Sequence, residues 1–354
     1  MSATQQSHPS LSQLTSKPSF QEHVLCRRAL YFIDDKVYFR CQNAEFTELC
    51  LDSACLIRPD VNAASLLPGA IRMEDPLEDY STILLYYTRK VLTNQSDVLR
   101  ALAGIIRRFS DLVGYKFLEG LPSAALDAFI FFQADNSILH RRAGFPSWSW
   151  VGWRGGLDIN IPPAKTNSAS LSDWFENETW IVWYKRSPSG VTNLVWDPVA
   201  DEPILAHIEK SSLLSRSGRF KSVHPLSITT IRSAPTEHIS FTSSPPNYPV
   251  LQFWTVSIFY KLGEIDVFMA EGHLIGKDGS DCGQILLDGF EETMLFDSQD
   301  PLEIILLSGL SPINVMLIEW NGGIAERRGI GKLEPWAVDK GFYAGPVWKE
   351  IVLA

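Results

Sequence analysis

Positive charge is in short supply in this 354-residue chain: 31 lysines and arginines stand against 41 aspartates and glutamates, for a net charge of -10. A field of that sign repels phosphate backbones and anionic lipid surfaces, so neither nucleic acid nor a membrane is an expected partner. The arginine pairs Arg27-Arg28, Arg107-Arg108, Arg141-Arg142 and Arg327-Arg328 are short and scattered, and each is expected on a solvated face or in a local ion pair. Cysteine is scarce as well. Cys26, Cys41, Cys50, Cys55 and Cys282 are odd in number and contain no CxxC, which fits neither a disulfide framework nor a four-thiolate zinc site. Reduced thiols in a cytosolic setting are expected.

Long apolar runs are also missing. A spanning helix needs about 20 apolar residues, and the greasiest stretches, Ala128 to Phe132 and Val250 to Leu262, are too short or are interrupted by polar residues. The first 19 residues are polar throughout and lack the apolar core of a signal peptide, so they are expected to be a disordered lead-in. Standard catalytic patterns are absent: HExxH, GxSxG, a Walker loop and a GxGxxG after a strand do not occur. His8, His23, His140, His207, His224, His238 and His273 lie far apart without a second ligand at helical or hairpin spacing, so no metal or cofactor site is expected. The carboxylate pairs Glu74-Asp75, Glu78-Asp79 and Glu291-Glu292 sit beside helix starts or turns, where dipole complementarity and solvation explain them.

What the chain does have is apolar residues at 45% and 11 tryptophans, enough for a large, densely packed core. Leu30 to Ile33 and Val37 to Phe39 flank a polar turn and read as a hairpin. From Pro76 the spacing of Leu77, Tyr80, Ile83, Leu84, Tyr87 and Val91 predicts an amphipathic helix with proline in its first turn. Ser96 or Asp97 is expected to cap a second helix with the stripe Leu99, Leu102, Ile106, Phe109 and Val113, ended by Gly114 or Gly120. Gly120-Leu121-Pro122-Ser123 opens a third, from Ala124 to Phe132. After Pro146 helical periodicity gives way to short strands: Trp180 to Lys185, Ile204 to Ile208, Leu251 to Lys261, Gln284 to Leu287, Glu303 to Leu307 and Val315 to Trp320. Lys277-Asp278-Gly279-Ser280 and Asn321-Gly322-Gly323 supply hairpin turns. The expected class is α+β, a small helical cluster followed by a mainly antiparallel β region. Its expected parts are 20–60 with the hairpin, 61–145 helical, and 146–354 mainly β, with a Ser/Pro-rich excursion at about 211–249.

The most unusual segment is Gly144-Phe145-Pro146-Ser147-Trp148-Ser149-Trp150-Val151-Gly152-Trp153. Read as an extended run, it places Trp148 and Trp150 on one face, with Ser147, Ser149 and Val151 on the other. Buried rings that lock the helical cluster to the β half are expected in preference to an exposed aromatic platform. The glycines of Gly152-Trp153-Arg154-Gly155-Gly156 read as turn geometry.

At these residues the chain resembles the fungal heterokaryon-incompatibility family. Phe145, Pro146, Ser147, Trp148, Ser149, Trp150, Gly152 and Trp153 are similar to its FPSWSWxGW signature. Phe20, Gln21, Glu22, Arg27 and Arg28 lie in a segment similar to the one closing the family's core domain. Thr93 to Ile106 and Gly120-Leu121-Pro122 resemble its next segments. Val315 to Trp320 with Glu326, Arg327, Arg328 and Gly329 resembles its V-M-L-I-x-W…A-E-R-R-G-[IL]-G ending. In the family a TIR-like α/β region precedes the segment matching Phe20 to Arg28. Here only 19 residues do, and neither Y-x-x-L-S-Y-x-W-G nor W-I-D-x-x-C-I-x-Q occurs. The resemblance therefore implies a truncated form: the end of the core domain plus the downstream region, without the enzymatic or death-signalling role of the missing part. Phe20, Val24, Leu25, Leu30, Tyr31 and Phe32 would then be the orphaned edge of a larger core. The expected function is non-enzymatic regulation or recognition through a protein partner. The competing expectation is a cryptic enzyme with a pocket between the helical cluster and the β region, using His140, Arg141 or Arg142.

Overall fold

The computed structural model describes residues 20–26, 28–33, 36–41, 45–47, 76–114, 116–135, 139–159, 171–197, 235–237, 239, 246–266, 268–289 and 300–354. They fall into two compact units, Met1–Ile71 and Arg72–Ala354. In the first, helix α1 (Phe20–Leu25) precedes strands β1 (Arg28–Ile33), β2 (Lys36–Cys41) and β3 (Glu45–Thr47), paired antiparallel in that order. The expected hairpin is there, with Ile33 opposite Lys36. Leu30 is exposed, and Phe20, Val24 and Leu25 are half-buried.

In the second unit α2 (Pro76–Thr88) buries Leu77, Tyr80, Ile83, Leu84 and Tyr87 as a single stripe. It ends before Val91, which is 96% exposed and so does not extend that stripe. The following helix starts differently from the expectation. Asn94, not Ser96 or Asp97, is the cap, its side chain accepting from the Ser96 amide, and two 3-10 turns come before α3 (Ala103–Val113). These turns rotate the buried stripe onto Val98, Leu102, Ile105 and Phe109, replacing Leu99 and Ile106. Gly114, at φ 69°, ends α3 as expected. Two two-stranded pairs follow, β4 (Phe117–Leu118) with β5 (Leu121–Pro122) and, flanking the short helix α4 (Leu126–Phe129), β6 (Phe132–Ala134) with a later strand. The third expected helix is therefore cut to one turn, because Phe132 is drawn into pairing with the backbone of Ile159.

Strands β7 (His140–Arg141), β8 (Trp153–Arg154) and β9 (Leu157–Ile159, the partner of β6) bracket the tryptophan-rich segment, and a helix absent from the sequence reading, α5 (Leu171–Asn177), follows. The main sheet is built from β10 (Tyr184–Arg186), β11 (Thr192–Leu194), β12 (Val250–Asp266), β13 (Glu271–Ile275), β14 (Asp281–Leu287), β15 (Leu302–Ser308), β16 (Ile313–Asn321), β17 (Ile324–Leu333) and β18 (Phe342–Leu353). The run expected from Trp180 is strand only from Tyr184, and Ile204 to Ile208 lies outside the described residues. Both expected turns join neighbouring strands, with Gly279, Gly322 and Gly323 at positive φ.

Strand order is β12-β13-β14-β17-β16-β15, and β12 also pairs with β15, so six strands close into a ring. Closure removes exposed edges. It also explains the continuous apolar run of β15, buried at every position from Glu303 to Ser308, which faces packed surroundings on both sides. Strand β18 runs along β12 from Leu251 to Ser257 and returns to touch β17 at Ala325. At Gly331 the ring is so tight that a Cβ would lie 2.1 Å from the Gln284 carbonyl oxygen. Neither backbone can yield without breaking the β14–β17 ladder. Gly331→Ala is therefore expected to lower unfolding stability by about 3 kcal/mol or more, measured by denaturant titration.

Candidate functional site: a buried arginine node under the tryptophan motif

The tryptophan-rich segment is not an extended strand. Pro146 and Ser147 enter a turn, and Ser149 caps a 3-10 helix over Trp150–Gly152 by accepting from the Val151 amide. The two-residue alternation is lost, and Trp148, Trp150, Ser147 and Ser149 are all buried, which corrects the two-faced expectation. The reason is local: serine hydroxyls that satisfy nearby backbone amides favour caps and turns over strand. Gly152 is required here, because a Cβ would sit 2.1 Å from the Pro146 carbonyl oxygen.

Each ring is then fixed by the helical layer. Trp150 donates from Nε1 to the Gly120 carbonyl at 2.9 Å, which also accepts from the Tyr80 hydroxyl at 2.7 Å. Tyr87 meets the Trp150 ring edge-on at 5.8 Å. Burial pushes the Tyr80 hydroxyl well above its ordinary pKa, and that of Tyr87 up to about 12. Trp153 donates to the Ser147 carbonyl at 2.8 Å. Trp148 is fully buried and its Nε1 finds no acceptor among the described residues.

Below the motif lies Arg327, from β17, with no exposed surface. Its Nε and Nη2 donate to the two carboxylate oxygens of Asp288 at 2.8 and 2.7 Å. Nη1 donates to the Ile130 carbonyl at 2.8 Å and Nη2 to that of Phe132, and the guanidinium lies 3.7 Å from the Phe132 ring centre. The Arg327 amide donates to the Ser147 hydroxyl at 2.9 Å, and that hydroxyl donates to the Ala354 carbonyl. One residue thus holds the barrel, the carbonyls around α4 and the tryptophan motif together. Its neighbours are ordinary: Arg328 pairs with Glu319 and Glu326 across the surface, and Gly329 lets β17 approach the Leu286 carbonyl.

The arginines proposed for a catalytic pocket are engaged in the same way. Arg141 donates to the carbonyls of Arg142, Phe145 and Gly152 at 2.9, 2.7 and 3.0 Å and covers the Trp153 ring. Arg142 is buried, donating to the Val151 carbonyl and to Gln95 at 3.2 Å, and desolvation lowers its pKa to about 10. Among the described residues it is neither on a solvated face nor in an ion pair, which corrects the expectation for Arg142. His140 is exposed, its backbone paired with Arg154. Among the described residues no three His, Cys, Asp or Glu side chains are placed to hold a metal, and no helix is long and apolar enough to cross a membrane.

Phe20, Gln21 and Arg28 belong to the first unit, where Arg28 is exposed; Glu22 contributes helical backbone there, and Arg27 lies outside the described residues. Asp288 and the carbonyls of Ile130, Phe132 and Ala354 were not legible as site groups. A signal was present: in β17 Arg327 falls on the same inward alternation as Ala325, and an inward charge demands a partner. The chain matches no protein-family model, no curated protein and no solved structure.

Removing one partner of a buried ion pair leaves the other uncompensated. Arg327→Met and Asp288→Asn are each expected to cost about 3–5 kcal/mol, with the double variant costing much less than the sum in a denaturant-melt cycle. Glu119 offers a pH test. It holds a left-handed φ of 46°, and burial raises its carboxyl pKa. The folded state thus prefers the protonated carboxyl, and stability is lost as pH rises through the raised value. Glu119→Gln is expected to raise the Tm at pH 7 and to leave it unchanged below about pH 3, where glutamate is protonated in both states.

Proposed function

We propose that this chain is a non-enzymatic recognition or regulatory module of the heterokaryon-incompatibility type, acting through a protein partner in the cytoplasm of a filamentous fungus. The observation that carries the reading is a convergence. The two most distinctive segments that resemble the family, Phe145 to Trp153 and Glu326 to Gly329, meet through the hydrogen bond from the Arg327 amide to the Ser147 hydroxyl, 180 residues apart in sequence. The charged donor of this node, Arg327, is engaged in holding backbone carbonyls and Asp288. A module built this way acts by the surface it presents. The expected partner is the TIR-like α/β region of a full-length family member.

The test is binding in trans. Purified chain titrated into that isolated α/β region, followed by calorimetry, is expected to give saturable one-to-one association, with no NAD turnover by the chain alone. The absence of association would remove the regulatory reading. NAD hydrolysis abolished by Arg141→Ala or Glu119→Gln would replace it with the enzyme reading, in which the desolvated Glu119 carboxyl and Arg141 act beside Tyr248, whose pKa burial raises and their charges modulate.

A further inference from the structure

The hairpin joining β12 to β13 carries two apolar side chains at its tip with no cover: Phe268 is 99% exposed and Met269 58%. The tip is held in place. The Asp266 carboxylate accepts the Phe268 and Met269 amides at 2.9 and 3.2 Å, Ala270 turns the chain at φ 51°, and the Ala270 carbonyl accepts the Leu287 amide at 2.8 Å, tying the tip to β14. A pinned aromatic and a methionine side by side form an interface anchor, since both residue types are enriched where proteins meet.

The surroundings say what kind of surface such an anchor fits. Glu264 and Asp266 are exposed on one side and Glu271 is half-buried on the other, and no salt bridge joins any of the three to a cation among the described residues. An acidic collar around an apolar knob matches an apolar surface rimmed by lysine or arginine and opposes an anionic bilayer, as does the net charge of -10. We propose that Phe268 and Met269, ringed by Glu264, Asp266 and Glu271, form a docking knob for a partner protein whose contact surface is apolar and basic-rimmed. The proposal rests on this hairpin alone and stands or falls separately from the family reading.

Two labelled amphipathic helical peptides with the same leucine face serve as probes, one flanked by lysines and the other by glutamates. Phosphatidylserine and phosphatidylcholine vesicles are titrated in parallel. The full chain is expected to bind the lysine peptide and not the glutamate peptide. Phe268→Ser/Met269→Ser, at unchanged Tm, is expected to weaken binding at least tenfold. Glu264→Gln/Glu271→Gln is expected to weaken it and flatten its salt dependence. Lysine-peptide binding that survives the double serine change would reduce the effect to bulk charge and overturn the proposal. Equal binding of both peptides, vesicle binding lost in that variant, or self-association abolished by it would overturn it too. Should the double variant unfold, Phe268→Ser alone is read against the same outcomes.

Discussion

Everything in the second unit depends on how a fully buried guanidinium is satisfied. Arg327 sits where water cannot reach it, and the bidentate Asp288 carboxylate, the carbonyls of Ile130 and Phe132 and the face of the Phe132 ring compensate its desolvation. A buried pair of this kind adds little net stability over well-packed apolar residues. Its effect is constraint. A one-residue slip of β17 would turn Arg327 outward, and in one direction it would set the Glu326 carboxylate against that of Asp288. The ion pair therefore fixes the register of the barrel against the helical layer. The Ser147 hydroxyl couples that register to the tryptophan segment and to Ala354.

The rings above the node fill the junction by size and are oriented by single polar contacts. Trp150 and Tyr80 share the Gly120 carbonyl, and Gly120 adopts φ 78° with its Cα so close to Trp150 that a Cβ would lie 2.8 Å from the ring. Trp153 takes the Ser147 carbonyl, and Arg141 covers its face. Aromatic bulk supplies the burial, and the arginines and serines decide which way the bulk lies.

Much of the fold was legible because periodicity is local. The α2 stripe, the strands around Leu251 to Lys261 and Glu303 to Leu307, and both glycine turns are set by residues near one another in sequence. Ring closure was not, since the β12–β15 pairing joins strands separated by two intervening hairpin segments. The alternation of the tryptophan segment does not make a strand because the Ser149 hydroxyl accepts the Val151 amide and starts a 3-10 turn there. Burial of its rings was nonetheless the right expectation, as was the α+β class with its mainly antiparallel sheet. Arg327 stands in an inward position of β17, but its partner Asp288 ends an apolar run just past β14, the strand beside β17, and carries no local pattern that announces it.

The central claim is that this node makes the helical layer and the barrel one cooperative unit. Native-state hydrogen exchange measures that directly, through the Ser147, Arg327 and Ala354 amides, which donate to Ala354, Ser147 and Ala325 respectively. All three are expected to exchange only by global opening, with the same free energy as the slowest barrel amides, such as those of β16. Exchange of Ser147 and the residues around α4 at a much lower free energy, while β16 stays protected, would contradict the account.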